Sequence, residues 1–182
     1  MIIEKHKTIF IHIPKNAGTS ISTYFGPVKH TKGEQIASKH DTIKEIKSKF
    51  PAKYTNYKKF AIIRNPYDRM VSWYFYLNGK AKVRPIDTPP PFQQWIKNPM
   101  KFFFDPKRFL DPQHTWIDDT VSIVKYENLN KELNKFFGEK IDLSIVNNSN
   151  HEHYLSYYNE ESLNIVYNKY KEDFKKYNYK KI

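Results

Sequence analysis

Two short runs of apolar and β-branched residues, each followed by a polar turn and a helix start, most constrain the fold of this chain. The first, Thr8–Ile13, is apolar on nearly both faces, and the second is Phe60–Ile63. Strands of this kind are typical of a parallel sheet that is buried on both sides by helices. The pattern therefore predicts an α/β fold of three layers, with a central, mainly parallel sheet flanked by helices.

The rest of the chain alternates helical patterns with one more strand. Asn65 is a good N-cap, Pro66 suits the first helical position, and Gly79 and Gly138 can each end a helix. A length of 182 residues fits a single domain, 1–182. The predicted elements are helices at Ser20–Phe25, Ser38–Phe50 (capped by Ser38 or Asp41), Asn65–Leu77, Phe92–Ile96, Leu129–Phe137 and Leu163–Phe174, and a strand at Val121–Val124.

The composition limits the kinds of partner and site. Lys and Arg number 31 against 19 Asp and Glu, a net charge of +12, which favours an anionic partner such as a nucleotide, a nucleic acid or a polyanionic sugar. The absence of cysteine excludes disulfides, thiolate metal sites and a cysteine nucleophile. The sequence has no apolar run long enough to span a membrane and no signal peptide, so we expect a soluble, cytoplasmic protein.

The turn that follows the first strand can bind an anion. Lys15 lies in this turn, Gly18 allows close approach of the backbone, and Thr19 and Ser20 offer hydroxyls where the next helix begins. Backbone N–H groups and the helix dipole favour a phosphate at such a position. A helix cap beside a solvated lysine explains this segment, taken alone, equally well.

A nucleoside-triphosphate P-loop is similar in principle but differs in its residues. That motif places the lysine directly before the Ser or Thr that binds magnesium. Here Lys15 precedes Gly18, and no glycine lies four residues before the lysine. The turn is therefore P-loop-like, without the pattern that holds a metal–ATP complex.

The same segment, IHIPKNAGTS at residues 11–20, resembles the 5′-phosphosulfate-binding loop of the sulfotransferase family. A second segment, FAIIRNPYDRMVS at 60–72, resembles that family's 3′-phosphate-binding strand and helix. The resemblance is closest to the carbohydrate 2-O-sulfotransferase-like branch and its small bacterial relatives. One departure is Asn16, where the family more often has Thr. Weaker similarities follow at Val124–Leu129, Asn147–Ser149 and Tyr170–Tyr179.

The resemblance implies sulfuryl transfer from 3′-phosphoadenosine 5′-phosphosulfate (PAPS), without a metal, to an acceptor hydroxyl on a carbohydrate or a small glycosylated metabolite. It implies that Lys15 neutralises the leaving oxygen and that Arg64 and Ser72 bind the 3′-phosphate. Arg64 could instead pair only with an aspartate. The donor-binding residues implied by the family are Lys15, Asn16, Ala17, Gly18, Thr19, Ser20, Arg64, Ser72, Asn148 and Ser149.

The acceptor hydroxyl must lose a proton, and histidine is the side chain best suited to remove it near neutral pH. Of the seven histidines, His40 is the best candidate, because it begins a helix between the two phosphate motifs, where the family carries its base. His114 is the second candidate. His12 fits a buried core histidine, and the pair at His151 and His153 fits polar surface better than a metal site.

Two other functions compete with sulfuryl transfer. The net charge of +12 and the many aromatic residues would suit a basic nucleic-acid-binding module, although the basic residues are dispersed and form no recognised nucleic-acid motif. An ATP-dependent small-molecule kinase would use a similar phosphate loop, with magnesium. Because the paired motifs favour the transferase, we expect no nucleic-acid partner.

Overall fold

The structure is a computed structural model that describes residues 1–26, 37–82, 87–103, 106–143 and 151–182. The chain divides into two compact units. The first unit consists of Met1–Arg64 and Gln113–Asn147, and the second of Asn65–Pro112 and Asn148–Ile182. The single domain inferred from the length stays a prediction.

The described residues form a mixed α/β structure. It contains four β-strands, eight α-helices and several short 3-10 helices. The strands are β1 (Ile2–Ile3), β2 (Thr8–Ile11), β3 (Lys58–Ile63) and β4 (Ser122–Lys125). The helices are α1 (Gly18–Phe25), α2 (Ile43–Lys49), α3 (Pro51–Asn56), α4 (Pro66–Ala81), α5 (Phe92–Trp95), α6 (Pro106–Phe109), α7 (Leu129–Phe137) and α8 (Glu160–Lys176).

The sheet belongs to the first unit and is mostly parallel, as predicted. Its strand order is β1-β2-β3-β4; β2, β3 and β4 run parallel, and β1 pairs antiparallel with β2. Ile11 of β2 lies opposite Ala61 of β3, and Ile63 of β3 lies opposite Lys125 of β4. Strand β2 ends at Ile11 rather than Ile13, because the chain turns there toward Pro14.

Both faces of the two central strands are buried, as their apolar sequences indicate. On one face Phe10 and Phe60 stack with their ring centroids 4.9 Å apart. They share a core with Ile21 of α1 and Leu133 of α7. On the other face, the side chains at Ile9, Ile11, Ala61 and Ile63 are fully buried.

The helix predicted between the two phosphate motifs is shorter than its hydrophobic pattern suggested. The helix α2 begins after Thr42, whose hydroxyl accepts from the Glu45 N–H while the Glu45 carboxylate accepts from the Thr42 N–H. This capping box replaces the predicted caps. At the other end Pro51 disfavours helical geometry at Phe50, so α2 stops there and α3 begins.

The second unit is built on α4 and α8. Asn65 caps α4 by accepting from the Tyr67 N–H at 2.9 Å, as predicted, but the helix continues past Gly79 to Ala81. A glycine inside a helix is tolerated at a cost of about 1 kcal/mol, so Gly79 alone does not end the helix. By contrast Gly138 ends α7 as predicted, with a left-handed φ of 73°. No helix in the described part of the chain combines the length and the hydrophobicity that crossing a bilayer requires.

Candidate active site

The candidate site lies in the first unit, at the carboxyl ends of β2 and β3. These strands are parallel neighbours, so both end at the same edge of the sheet. The loop from His12 to Ala17 follows β2, and Arg64 directly follows β3. Ligands of open parallel sheets bind outside the carboxyl ends of the strands.

The loop after β2 has an unusual backbone. Lys15 and Ala17 both adopt a left-handed conformation, with φ of 70° and 55°. Each such residue costs of order 1–3 kcal/mol, and such strain concentrates at functional sites. Left-handed residues let neighbouring N–H groups point into one concavity, which suits an anion. The N-cap residue of α1 is Ala17, whose methyl side chain cannot accept a hydrogen bond from the first turn.

Gly18 is needed for close packing against a histidine. A Cβ built on Gly18 would overlap the His12 imidazole, so any larger residue would displace that ring. The ring has little room to move, because it is only 6% exposed and stacks on Phe10 with centroids 5.6 Å apart. The glycine therefore brings the start of α1 against the end of β2.

His12 is buried, as expected from the sequence, and it stays neutral. Burial, assisted by electrostatic interactions with His40, Lys39 and Lys15, lowers the pKa of His12 to about 2. A neutral imidazole adds no positive charge beside the loop. His12 is therefore not a second acid or base near neutral pH.

His40 is oriented by the backbone of His12. Its Nδ1 lies 3.0 Å from the His12 carbonyl oxygen, and the two rings are 4.5 Å apart between centroids. A carbonyl oxygen only accepts, so Nδ1 of His40 carries the proton and donates it to this bond. In the neutral imidazole Nε2 is then the basic nitrogen.

The turn that carries His40 is fixed by the neighbouring aspartate. Asp41 is buried, its carboxylate accepts from the Ser38 N–H at 2.6 Å, and it pairs with Lys49 at 2.8 Å. The Asp41 N–H donates in turn to the Ser38 carbonyl. Asp41 therefore stabilises the turn before α2.

Arg64 is held between the loop and an aromatic ring. Its Nη1 donates to the Lys15 carbonyl at 3.1 Å, and its guanidinium carbon lies 4.2 Å from the centroid of the Tyr126 ring. This stacking and the hydrogen bond fix the plane of the guanidinium. The side chain is buried, with 7% of its surface exposed. It brings a permanent positive charge to the loop that carries Lys15.

Asn16 contributes its side chain to the interior. The Asn16 amide nitrogen donates to the Ile62 carbonyl at 2.6 Å and to Gln113 Oε1 at 2.7 Å, and the residue is fully buried. Its backbone N–H lies 3.4 Å from the Ile13 carbonyl oxygen. The side chain therefore ties the loop to β3, and its role in donor binding stays a prediction.

The other predicted donor-binding residues are spread over the chain. Lys15 is half-buried, Thr19 is exposed and Ser20 is buried, all in the first unit. Ser72 is buried in α4 of the second unit, so its sharing of a phosphate with Arg64 stays a prediction. Asn148 and Ser149 lie outside the described residues.

The structure also describes the surroundings of three other histidines considered in the sequence analysis. His114 is half-buried in a 3-10 helix, Gln113–Trp116, and stays the second candidate base. His151 stacks on Phe75 with centroids 5.0 Å apart, and His153 packs on Tyr154 at 4.4 Å. In the part of the chain that the structure describes, no three His, Asp or Glu side chains cluster as metal ligands would.

Arg69 lies in the interior of the second unit rather than on its surface. It is 1% exposed and donates to the carbonyl oxygens of Asp111 and Phe109 at 3.0 and 3.1 Å. Carbonyl partners indicate that Arg69 supports its own unit. Trp73 and Tyr74 likewise belong to the aromatic core of that unit rather than to an open stacking surface.

Sequence reasoning missed Gln113 and the stacking role of Tyr126. Gln113 was visible only as the neighbour of His114, and Tyr126 only as part of the segment Val124–Leu129. No local pattern marks a glutamine that bonds to residues 49 and 97 positions away. Tyr126 could have been suggested by its place just after a parallel strand.

Comparison with known proteins supports the resemblance stated above. The model of the sulfotransferase family matches residues 1–116, which contain both predicted phosphate motifs, His40 and Gln113. The carbohydrate 2-O-sulfotransferase-like branch is consistent with this family. No curated protein and no solved structure matches the chain. Because the match covers 116 of the 182 residues, well over half, this chain belongs to the sulfotransferase family.

Proposed function

We propose that the protein transfers a sulfuryl group from PAPS to a hydroxyl of a carbohydrate or small glycosylated metabolite, on a P-loop-like three-layer fold. The observation that carries the proposal is the contact between the two predicted phosphate motifs. The guanidinium of Arg64 donates to the carbonyl of Lys15 within a strained, left-handed loop. Family membership supports sulfuryl transfer in general, and this geometry supports the donor.

The donor would occupy two anion sites. The loop from Lys15 to Ser20 would accept the 5′-phosphosulfate, through backbone N–H groups and the Lys15 ammonium. The guanidinium of Arg64 would donate hydrogen bonds to the 3′-phosphate as a charged fork. The short link between the Arg64 side chain and the loop favours a ligand that carries both anions at once, which is what distinguishes PAPS from an ordinary nucleotide.

In the transfer step, the acceptor oxygen forms a bond to sulfur while the bond between sulfur and the 5′-phosphate oxygen breaks. The electron pair of the broken bond remains on that phosphate oxygen, whose growing charge Lys15 stabilises. Nε2 of His40 takes the proton of the acceptor hydroxyl. The products are the sulfated acceptor and adenosine 3′,5′-bisphosphate, so atoms and charge balance.

The His12 carbonyl prepares His40 for this role. By accepting the Nδ1 proton at 3.0 Å, it selects the tautomer in which Nε2 carries the basic lone pair. The neutral ring of His12 keeps further positive charge away from the base. Orientation by a hydrogen-bond acceptor is the usual way in which enzymes position a catalytic histidine.

A carbohydrate acceptor is supported by the branch that the motifs resemble and by the charge of the chain. A net charge of +12 suits a sugar that already carries anionic groups.

The donor is tested by thermal shift with adenosine 3′,5′-bisphosphate and with adenosine 5′-monophosphate at equal concentration. The bisphosphate should bind at least about 30-fold more tightly, since an unmatched buried charge costs about 2 kcal/mol or more. Arg64→Ala should remove most of that preference. Arg69→Ala is the matched control, because its equally buried guanidinium bonds to carbonyl groups in the other unit. Equal affinity for both nucleotides in the unmutated protein would refute PAPS as the donor.

The acceptor is tested by transfer of radiolabelled sulfate from PAPS to panels of mono- and oligosaccharides, tyrosine peptides and phenols. We expect label on saccharide hydroxyls, and we expect transfer to persist in a chelator, because Lys15 and Arg64 supply the positive charge. Label on phenols alone would refute the carbohydrate acceptor. Phosphate transfer from ATP that requires magnesium would instead support the kinase alternative.

A further inference from the structure

Gln113 joins the two motifs of the candidate site through its side-chain amide. Its Nε2 donates to the Arg64 carbonyl at 2.9 Å, and its Oε1 accepts from the Arg64 N–H at 3.0 Å. The same Oε1 accepts from the Asn16 amide at 2.7 Å. Gln113 is fully buried, and all three bonds lie within the first unit.

The amide of Gln113 acts as a short piece of neighbouring strand. It pairs with both the N–H and the C=O of Arg64, the residue that follows the last residue of β3. The backbone of Arg64 is thus held in register with the sheet after the strand has ended. Side chains that replace a backbone partner in this way fix the direction in which the next residue leaves the sheet.

The bond to Asn16 extends this hold to the loop. Asn16 uses both amide hydrogens, one toward the Ile62 carbonyl and one toward Gln113. The threonine that is more usual at this position of the family has one hydroxyl hydrogen and could donate to only one of these acceptors. The asparagine of this chain can therefore bond to β3 and to Gln113 at once, which a threonine could not.

We propose that Gln113 is a positioning residue that sets the spacing between the Lys15 loop and Arg64, and thereby the preference for nucleotides carrying both a 5′- and a 3′-phosphate. The inference rests on the proposed function. Because Gln113 is fully buried, its proposed effect on the nucleotide is indirect. It acts by holding the backbone of Arg64 and the side chain of Asn16 at one fixed separation. The two anion sites are then spaced to bind both phosphates of one nucleotide.

The test compares Gln113→Met with the unmutated protein. Methionine keeps the approximate length and volume but makes none of the three hydrogen bonds. The dissociation constants of adenosine 3′,5′-bisphosphate and adenosine 5′-monophosphate are measured for each protein. The measured ratio is the dissociation constant of the monophosphate divided by that of the bisphosphate. We expect this ratio to fall about tenfold or more in Gln113→Met, since small displacements of positioning groups have effects on the order of 10²-fold. Binding of the monophosphate should change much less.

If Gln113 had a purely structural role, Gln113→Met would lower the melting temperature and leave that ratio unchanged. This result would overturn the proposal. The double variant with Arg64→Ala adds a second criterion. If Gln113 acts through Arg64, its replacement should change the ratio little once Arg64 is absent. Independent, additive effects would also overturn the proposal.

Gln113→Glu covers the case in which the methionine variant does not fold. Its carboxylate still accepts from Arg64 and Asn16 but cannot donate to the Arg64 carbonyl, so the ratio should again fall. If neither variant folds, Gln113 supports the whole sheet and the proposal is wrong. If the unmutated protein fails to distinguish the two nucleotides, the proposed function fails first; if it does distinguish them and both variants keep the ratio, only the role of Gln113 is refuted.

Discussion

The buried imidazole of His12 should make the stability of the fold depend on pH. Burial lowers the pKa of His12 from 6.5 to about 2. Below about pH 6.5 the unfolded chain binds a proton at His12 that the folded protein does not bind. The unfolded state is then favoured, so the free energy of unfolding falls as the pH falls.

The size of this effect follows from the two pKa values. Each pH unit below 6.5 should lower the free energy of unfolding by about 1.4 kcal/mol, until the pH approaches the folded-state value. Between pH 7 and pH 5 the loss from His12 alone is about 2 kcal/mol. This is a large part of the 5–15 kcal/mol that typical domains have. The slope should be steepest between pH 6 and pH 3.

Urea unfolding at a series of pH values measures this slope. The matched control is His12→Gln, which replaces the imidazole with a planar amide of similar reach that does not titrate. The difference between the two profiles cancels every other titrating group. Parallel profiles, with the same slope between pH 7 and pH 5 in both proteins, would show that His12 is protonated in the folded state and would refute the argument from burial.

Three further predictions concern the reaction and the loop. Lys15→Ala should lower kcat on the order of 10²-fold with little change in donor affinity, because charge on the leaving oxygen is greatest in the transition state; unchanged turnover would remove Lys15 from the mechanism. His40→Ala should lower kcat by about 10²- to 10⁴-fold with donor affinity nearly unchanged, and a larger loss in His114→Ala would transfer the role of base to His114. Gly18→Ala should destabilise the protein by about 1–3 kcal/mol, measured by urea unfolding, because its Cβ overlaps the His12 ring. In a His12→Ala background the same Gly18→Ala change should cost much less, and an equal cost in both backgrounds would show that the loss does not come from overlap with the His12 ring.

The sequence predicted the parts of the structure that depend on local rules. The parallel pairing of β2 with β3 follows from two apolar runs separated by a helical stretch. Asn65 and Gly138 mark helix ends because capping and left-handed geometry are properties of single residues. Where two local signals competed, as at Thr42 and Pro51, the capping box and the proline decided the bounds of α2 over its longer hydrophobic pattern.

The sequence also identified the residues around which the candidate site is built, Lys15, His40 and Arg64, through the resemblance to the family. Only the tertiary structure decided how they are held. The His12 carbonyl selects the tautomer of His40, Tyr126 stacks on Arg64, and Gln113 ties Arg64 to Asn16. Each of these contacts joins residues that are 28 to 97 positions apart in the chain. Propensity and spacing act over a few residues, whereas such hydrogen bonds arise only after the parallel strands have brought distant segments to one edge of the sheet.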